Sequence, residues 1–502
     1  MRIIRRLFII LPFLAIHIAW IALLCTVLKP YAAYIYLGLS ILSVWVLLYL
    51  ISRRQEACYK ILWILLVMLM PIPATLAYLM VGDRRTALAI TKYVDKAKKD
   101  MPELSEINPA AIPCEERYDE RISKSLQYIT NLSGFPINVC ESAQYYPIGE
   151  ECWKAMLEEI KKAEKFIFLE YFIVEDGKMW SAMCELFEQK IKAGVDVRFI
   201  YDDLGSLATF GKSYDDKLTR MGMKWISFNE VKFIHGSLNN RTHRKMLIID
   251  GKVAFSGGVN LADEYINEVV KFGHWKDIGF KITGPSVENY LHMFVQFWNA
   301  FSKDKISNEV FDLVPKESVA MDGGVLSYYD SPANRDPVSN NFYIEMLGNA
   351  KDYAWFYTPY LMLGDTLLDA FVRAAKRGVD VRIIMPGIPD KKLVFRMSRS
   401  FYGTLLEAGV KIYEYTPGFV HAKASLYDDE ICTIGTVNLD YRSLYLHFEN
   451  NSVFWKSSIL DELKKDYLDT LSKCNQISEK DIKKGFLGKL LDEILRIVVP
   501  LC

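Results

Sequence analysis

The sequence predicts an α/β protein made of two copies of one unit, carried behind apolar segments at its N-terminus. Three observations predict it. Long uncharged apolar runs fill the first eighty residues, a strand, helix, strand order recurs about 180 residues later, and one spaced set of His, Lys, Asp, Gly and Asn occurs in each copy. The 502 residues carry 61 Lys+Arg against 61 Asp+Glu, and 51% are hydrophobic, which excludes a disordered chain and leaves room for two or three domains. A net charge of zero gives no global attraction to nucleic acid. Nine scattered cysteines without a CxxC pair indicate reduced thiols, with neither a disulfide framework nor a zinc site.

Residues 7–28, 31–51 and 61–81 each have the length of a bilayer-crossing helix and contain no Asp, Glu, Lys or Arg. The first run also fits a cleavable leader, but a second run follows directly and no small-residue cleavage site separates them. Arg2, Arg5 and Arg6 flank the pair at one end and Arg53, Arg54 and Lys60 at the other, against Lys29 alone in the connector. This describes a transmembrane hairpin with both ends cytoplasmic. Arg84, Arg85 and Lys92 oppose a third crossing, and Pro71 and Pro73 remove backbone donors within the third run. A re-entrant path is therefore expected for it, closing a membrane anchor over residues 1–81.

Residues 82–135 turn charged (Arg84, Arg85, Lys96, Lys98, Lys99, Asp100, Glu115, Glu116) and are broken by Pro102, Pro109 and Pro113, so a linker with short helices is expected. Two similar domains follow, over 136–315 and 316–475. In the first, residues 165–173 read as a strand, Trp180, Met183, Cys184, Phe187 and Ile191 recur at helical spacing up to Gly194, and 195–201 form the next strand. In the second, 353–357 form a strand, Leu367, Leu368, Phe371, Val372 and Ala375 a helix face ending at Gly378, and 379–385 a strand. Such alternation predicts largely parallel sheets covered by helices, and duplication predicts a pseudo-twofold axis between the domains.

The chemistry concentrates on two of the seven histidines. His243 and Lys245 are followed by Asp250, Gly257, Gly258 and Asn260; His421 and Lys423 are followed at identical spacing by Asp428, Gly435, Thr436 and Asn438. At this composition about 0.1 chance occurrences of HxKxxxxD are expected, so two copies in register are not accidental. In an extended strand each His and its Lys project from one face. Two halves meeting around a twofold axis bring two imidazoles, two ammonium groups and two Asn together in a pocket that suits a phosphodiester. One imidazole attacks phosphorus, the other donates to the departing alkoxide, and the lysines stabilise the equatorial oxygens. Fixed cations and the lack of a carboxylate cluster in these motifs predict activity without a metal or other cofactor. Asp250 and Asp428 belong to the catalytic motif by sequence but differ in parity from the lysines, and Asp250-Gly251 is a hairpin-turn signal, so both are read as architectural. Gly258 and Thr436, with Asn260 and Asn438, are expected to bind substrate, their small size allowing close backbone approach to the phosphate.

These residues resemble the phospholipase D superfamily, whose signature is HxKxxxxD followed by Gly-Ser or Gly-Thr and Asn, over residues 136 to 475. Two motifs behind a membrane hairpin look like the bacterial cardiolipin synthases, as do the stretches Glu170-Tyr171-Phe172, Tyr201 to Ser206, His274 to Asp277, Phe448-Glu449 and Asn438 to Ser443. The resemblance implies a cell-membrane enzyme with a cytoplasmic active site, in which one phosphatidylglycerol gives its phosphatidyl group to a histidine and a second accepts it. Cardiolipin and glycerol are then the products. It also implies that Asp277, 34 residues after His243, and Glu449, 28 after His421, hold the remote ring nitrogen of each histidine, with His243 the nucleophile and His421 the acid and base. Gly258 departs from the family pattern of Ser or Thr, which implies a hydroxyl contact to phosphate missing from the first half. Water as acceptor gives a hydrolase, another donor such as phosphatidylethanolamine a related transferase, and a nucleic-acid diester a nuclease, which neutral charge and the hairpin oppose. A catalytically silent membrane scaffold has no physical reason to keep both His-Lys pairs.

The tail, 476–502, places Phe486, Leu490, Ile494, Ile497 and Leu501, joined by Leu487, Leu491 and Val498, on one helical stripe with Lys483, Lys484 and Lys489 nearby. It reads equally as a helix lying on the bilayer and as one packed on the catalytic domains.

Overall fold

The computed structural model describes residues 29–502 except 54, 83, 106–119, 208–211, 231–238, 318–319, 484 and 502, together with residues 18, 19, 22 and 26. Most of the first apolar run, with Arg2, Arg5 and Arg6, lies outside the described residues, as do Arg54, Pro109, Pro113, Glu115, Glu116, Lys484 and the side chain of Leu501.

Helix α1 (Ala32–Ser52) is uncharged, and 20 of its residues are apolar enough to cross a bilayer. The third apolar run breaks in two, α2 (Ala57–Leu69) and α3 (Pro71–Ala77), because Pro71 and Pro73 cannot donate and Met70 leaves helical geometry at φ −138°. Thirteen residues make α2 about 20 Å long, less than the hydrocarbon thickness. One face of α2 is buried through Tyr59, Leu62, Trp63 and Val67, and Tyr59 stacks on Tyr441 of the second domain at 5.7 Å. The expected linker is more ordered than its composition indicates. Helices Arg85–Lys98 and Glu120–Ser133 bury Val94, Ile122, Leu126 and Ile129 against the catalytic body.

Each domain centres on a sheet with one shared strand order. In the first it runs Ser142–Tyr146, Gly279–Thr283, Val253–Gly257, Met246–Ile249, Phe166–Tyr171, Asp196–Asp202, Lys224–Phe228. In the second it runs Gly324–Asp330, Glu449–Trp455, Ile431–Gly435, Ala424–Tyr427, Tyr353–Tyr357, Asp380–Pro386, Lys411–Tyr415. Two edge strands extend the second sheet: Cys474–Gln476, and Asn138–Val139, which crosses over from the start of the first domain. The sheets are mixed, which corrects the expectation of largely parallel ones. Only the last three strands of each order pair in parallel, since helices connect them; the strands that follow His243 and His421 return through hairpins and pair antiparallel.

The sheets share one core. Phe280 meets Phe454 edge-on at 5.2 Å, Tyr290 Oη bonds Ser452 Oγ at 2.9 Å, and the nearly wholly buried helix Val287–Phe301 packs between the two domains.

Candidate active site

Each motif histidine lies just ahead of a hairpin strand, in a stretch that belongs to neither large sheet. Instead it pairs with the other domain. His243 N donates to Phe448 O at 2.8 Å, and His421 N donates to Lys276 O at 2.7 Å. Strands Gly418–Val420 and His274–Lys276 form a two-stranded parallel sheet across the interface, mirrored by a bridge from Thr242 to Phe448. Each pairing ends one residue before an acid, Asp277 or Glu449, so the acid of one domain is delivered to the imidazole of the other.

The carboxylate pairing is consequently crossed. Glu449 lies 2.9 Å from His243 Nδ1 through both oxygens, and Asp277 Oδ2 lies 2.6 Å from His421 Nδ1. This corrects the assignment of each acid to the histidine of its own half. The His243 and His421 side chains are 10% and 9% exposed, and both acids are fully buried. An acid on Nδ1 fixes the tautomer and leaves the ring's lone pair on Nε2. Lys245 Nζ donates to His243 O at 2.7 Å, and Lys423 Nζ likewise bonds His421 O and lies 2.9 Å from His421 Nδ1. The shared face of His and Lys is thus realised in both halves.

Electrostatics join these groups into one site. Burial lowers the Lys245 ammonium to about 7 and Lys423 to about 8, with Lys423 adding to the depression of Lys245. Burial, both lysines and His421 push His243 well below its ordinary value, whereas burial and Lys423 bring His421 to about 4. The acids diverge. Burial carries Glu449 up to about 7 against the pull of Lys245, while Asp277, though equally buried, is held below its ordinary value by His421 and Lys423.

Asp250 and Asp428 stand apart from the imidazoles. Asp250 accepts from Glu164 N, Lys165 N and Phe166 N, each at 2.8 Å, and Asp428 accepts from Lys351 N, Asp352 N and Tyr353 N at 2.7 to 2.9 Å. Both occupy left-handed turns, at φ 53° and 52°, and tie the motif hairpin to the start of the central strand.

Two expected phosphate-binding positions are placed otherwise. The Thr436 hydroxyl is buried behind the site, donating to Glu449 Oε2 at 2.5 Å and accepting from Asn450 N at 3.0 Å. At Gly258 a Cβ would lie 2.0 Å from Asp277 Oδ1. The shorter acid reaches into the space a side chain would fill, so the departure at Gly258 compensates for Asp in place of Glu. Asn260 Oδ1 accepts from Ile173 N and its Nδ2 donates to Tyr265 Oη. Asn438 Nδ2 donates to Asp440 Oδ2 at 2.9 Å, and its buried Oδ1 has no hydrogen-bond partner among the described residues.

Several contributors carried no role in the sequence reading. Phe172 stands edge-on to His243 at 5.0 Å, and Tyr265 edge-on to His421 at 5.2 Å. Asn450 accepts from Lys245 N, fixing the motif strand across the domain boundary. Glu170 holds Arg244 through two bonds of 3.0 and 2.8 Å on the face opposite His243, and the guanidinium lies 3.7 Å over Phe297.

A family model described as "Cardiolipin synthase, PLD-like domain" matches this chain twice, over residues 156–294 and 343–470, each match containing one His, Lys, Asp motif. The chain belongs to the bacterial cardiolipin synthases of the phospholipase D superfamily. A cardiolipin synthase of Alkalihalophilus pseudofirmus is 33% identical over 92% of this chain and 92% of its own length. One of Halalkalibacterium halodurans is 30% identical over the same shares. An uncharacterized protein of Streptococcus mutans is 38% identical over 90% of this chain and 99% of its own. A second model, "Phospholipase_D-nuclease N-terminal", covers residues 41–82, the end of α1 through α3. The crystal structure of a phosphatidylserine synthase of Haemophilus influenzae shares the fold, with a TM-score of 0.57 at 15% identity over 76% of this chain and all of that one. This cardiolipin synthase family member is a membrane-anchored phosphatidyltransferase acting on phospholipids.

Proposed function

We propose that the enzyme makes cardiolipin from two molecules of phosphatidylglycerol through a phosphohistidine. The crossed pairing of acid and imidazole carries the reading, since it seats two Nε2 atoms and two ammonium groups in one buried site. In the first step His243 Nε2 attacks phosphorus, the bond from phosphorus to the glycerol oxygen breaks, and His421 gives its Nε2 proton to that oxygen, releasing glycerol. In the second step a glycerol hydroxyl of another phosphatidylglycerol gives its proton to His421 and attacks phosphorus. The phosphorus–nitrogen bond breaks, leaving cardiolipin and free His243. Lys245 and Lys423 carry the charge on the equatorial oxygens.

The unequal acids support this order. Asp277 stays ionised and so sustains a protonated His421 once the anionic phosphodiester offsets the lysines, whereas Glu449, raised to about 7, favours a neutral His243. Basic residues Arg53, Lys60, Arg84 and Arg85 around the apolar segments support a cytoplasmic site, with α2 and α3 entering and leaving the same side of the bilayer. Purified enzyme with phosphatidylglycerol vesicles and EDTA should yield cardiolipin and glycerol by mass spectrometry. Phosphatidic acid as the main product would instead mark a hydrolase. His243→Ala and His421→Ala should each lose at least about 10³-fold in turnover, and with phosphatidyl-p-nitrophenol, whose leaving group needs no proton, a phosphatidyl adduct should be trapped in His421→Ala but not in His243→Ala.

A further inference from the structure

The C-terminal helix is amphipathic in an inverted sense. Helix α5 (Phe486–Val498) packs on helix α4 (Lys392–Ser400) and on α2 through its polar side: Arg396 bonds Asp492 Oδ1 at 3.0 Å and Gly488 O at 3.4 Å, and Arg496 lies 4.9 Å over the Phe401 ring. Leu495 and Val499 seal that contact. The opposite side presents Phe486 and Leu487, 79% and 78% exposed, with Leu490, Leu491, Ile494 and Ile497 also exposed. A helix that turns Asp492 and Arg496 inward and a row of six large apolar side chains outward, with Lys489 and Glu493 its exposed charges, is suited to a solvent other than water.

The surroundings identify that solvent. Leu393 of α4 is exposed as well, and α2, against which α5 packs, exposes Ile61, Leu65, Met68 and Leu69. That surface continues onto α1, whose outward side chains include Tyr34, Leu37, Ile41, Trp45 and Leu48. The patch is therefore continuous with the membrane-spanning helix. Exposed Lys392, Lys483 and Lys489 flank it, complementary to anionic headgroups.

We infer that α5, α4 and the outer face of α2 form one surface that lies in the headgroup and acyl boundary of an anionic bilayer, fixing the catalytic body against the membrane independently of the α1 anchor. The surface requires only a membrane location, so it stands or falls apart from the choice of phosphatidylglycerol as donor and acceptor.

The full-length enzyme in nanodiscs of phosphatidylglycerol and phosphatidylethanolamine tests it. Leu487→p-benzoylphenylalanine should crosslink to lipid on illumination, whereas the same replacement of Glu188, exposed on helix Lys178–Lys192, should not. The double variant Leu487→Glu, Leu490→Glu should raise the KM for phosphatidylglycerol in vesicles about tenfold or more and leave kcat/KM for monomeric short-chain phosphatidylglycerol unchanged. No lipid adduct at position 487, an adduct to a second copy of the chain, or equal losses on both substrates would overturn the surface. Lipid adducts at 487 in an enzyme that forms no cardiolipin would overturn the proposed reaction and leave the surface intact.

Discussion

Two positions in the site turn on single atoms. The family places Ser or Thr where this chain has Gly258, so restoring the pattern by Gly258→Ser looks conservative. The structure argues the reverse, because a Cβ would meet Asp277 Oδ1 at 2.0 Å and displace the acid from His421. Gly258→Ser should lower kcat by about 10²-fold or more at near-normal melting temperature, and Gly258→Ser combined with Asp277→Glu should lose less than the two singles multiplied together. Protonation makes a second prediction. Lys245 and Lys423, brought by burial to about 7 and 8, are charged below those values and neutral above them, so the site loses its affinity for an anion as pH rises. Tungstate binding measured by calorimetry should weaken between pH 6 and 9, and Lys245→Arg, which cannot deprotonate, should move that decline to higher pH. Binding that is flat across this range would show that the lysines do not supply the counter-charge.

At the scale of elements, the hairpin after each motif is held by its Asp, and the prediction concerns stability more than chemistry. Asp250→Ala removes the acceptor of three backbone N–H groups and replaces a residue that tolerates left-handed geometry. It should cost about 1.5–3 kcal/mol in unfolding free energy, read by denaturant titration, while the folded fraction keeps its turnover. Glu170→Ala strands Arg244, whose guanidinium is wholly buried, and should cost about 3–5 kcal/mol. Elements of this kind were legible to different degrees. The strand Tyr353–Tyr357, the helix ending before Gly378 and the turn at Asp250-Gly251 follow from local periodicity and turn chemistry, and the duplication could be counted from spacing. What escaped is non-local. His243 and Glu449 are 206 residues apart and His421 and Asp277 are 144, so no periodic pattern reports which acid meets which imidazole. Likewise Thr436 reads as a phosphate ligand until the bond to Glu449 shows its hydroxyl already engaged, and the linker reads as loose because the helices that pack on it are distant in sequence.

Across the whole molecule, the exchange of acids makes each half a component of the other's chemistry. Asp277 belongs to the first domain by sequence and to the second by function, since it supports the histidine assigned to leaving-group protonation. A substrate whose leaving group needs no proton therefore separates the two histidines. With phosphatidyl-p-nitrophenol as donor, the first-turnover burst of p-nitrophenol should be restored in His421→Ala and Asp277→Asn, by about 10²-fold or more over their first step on phosphatidylglycerol, because p-nitrophenolate departs unassisted, while the second step, which also uses His421, stays slow. His243→Ala and Glu449→Gln should not recover, since the nucleophile or the carboxylate that orients it is still missing. Pairing by chain order predicts instead that Asp277→Asn behaves like His243→Ala. First-turnover rates of p-nitrophenol release from the four variants decide between the two wirings, and recovery confined to His421→Ala and Glu449→Gln would refute the crossed one. On the proposed reaction the interface is part of the path: any change that loosens the strand pairing of Gly418–Val420 with His274–Lys276 moves an acid away from its imidazole without touching either.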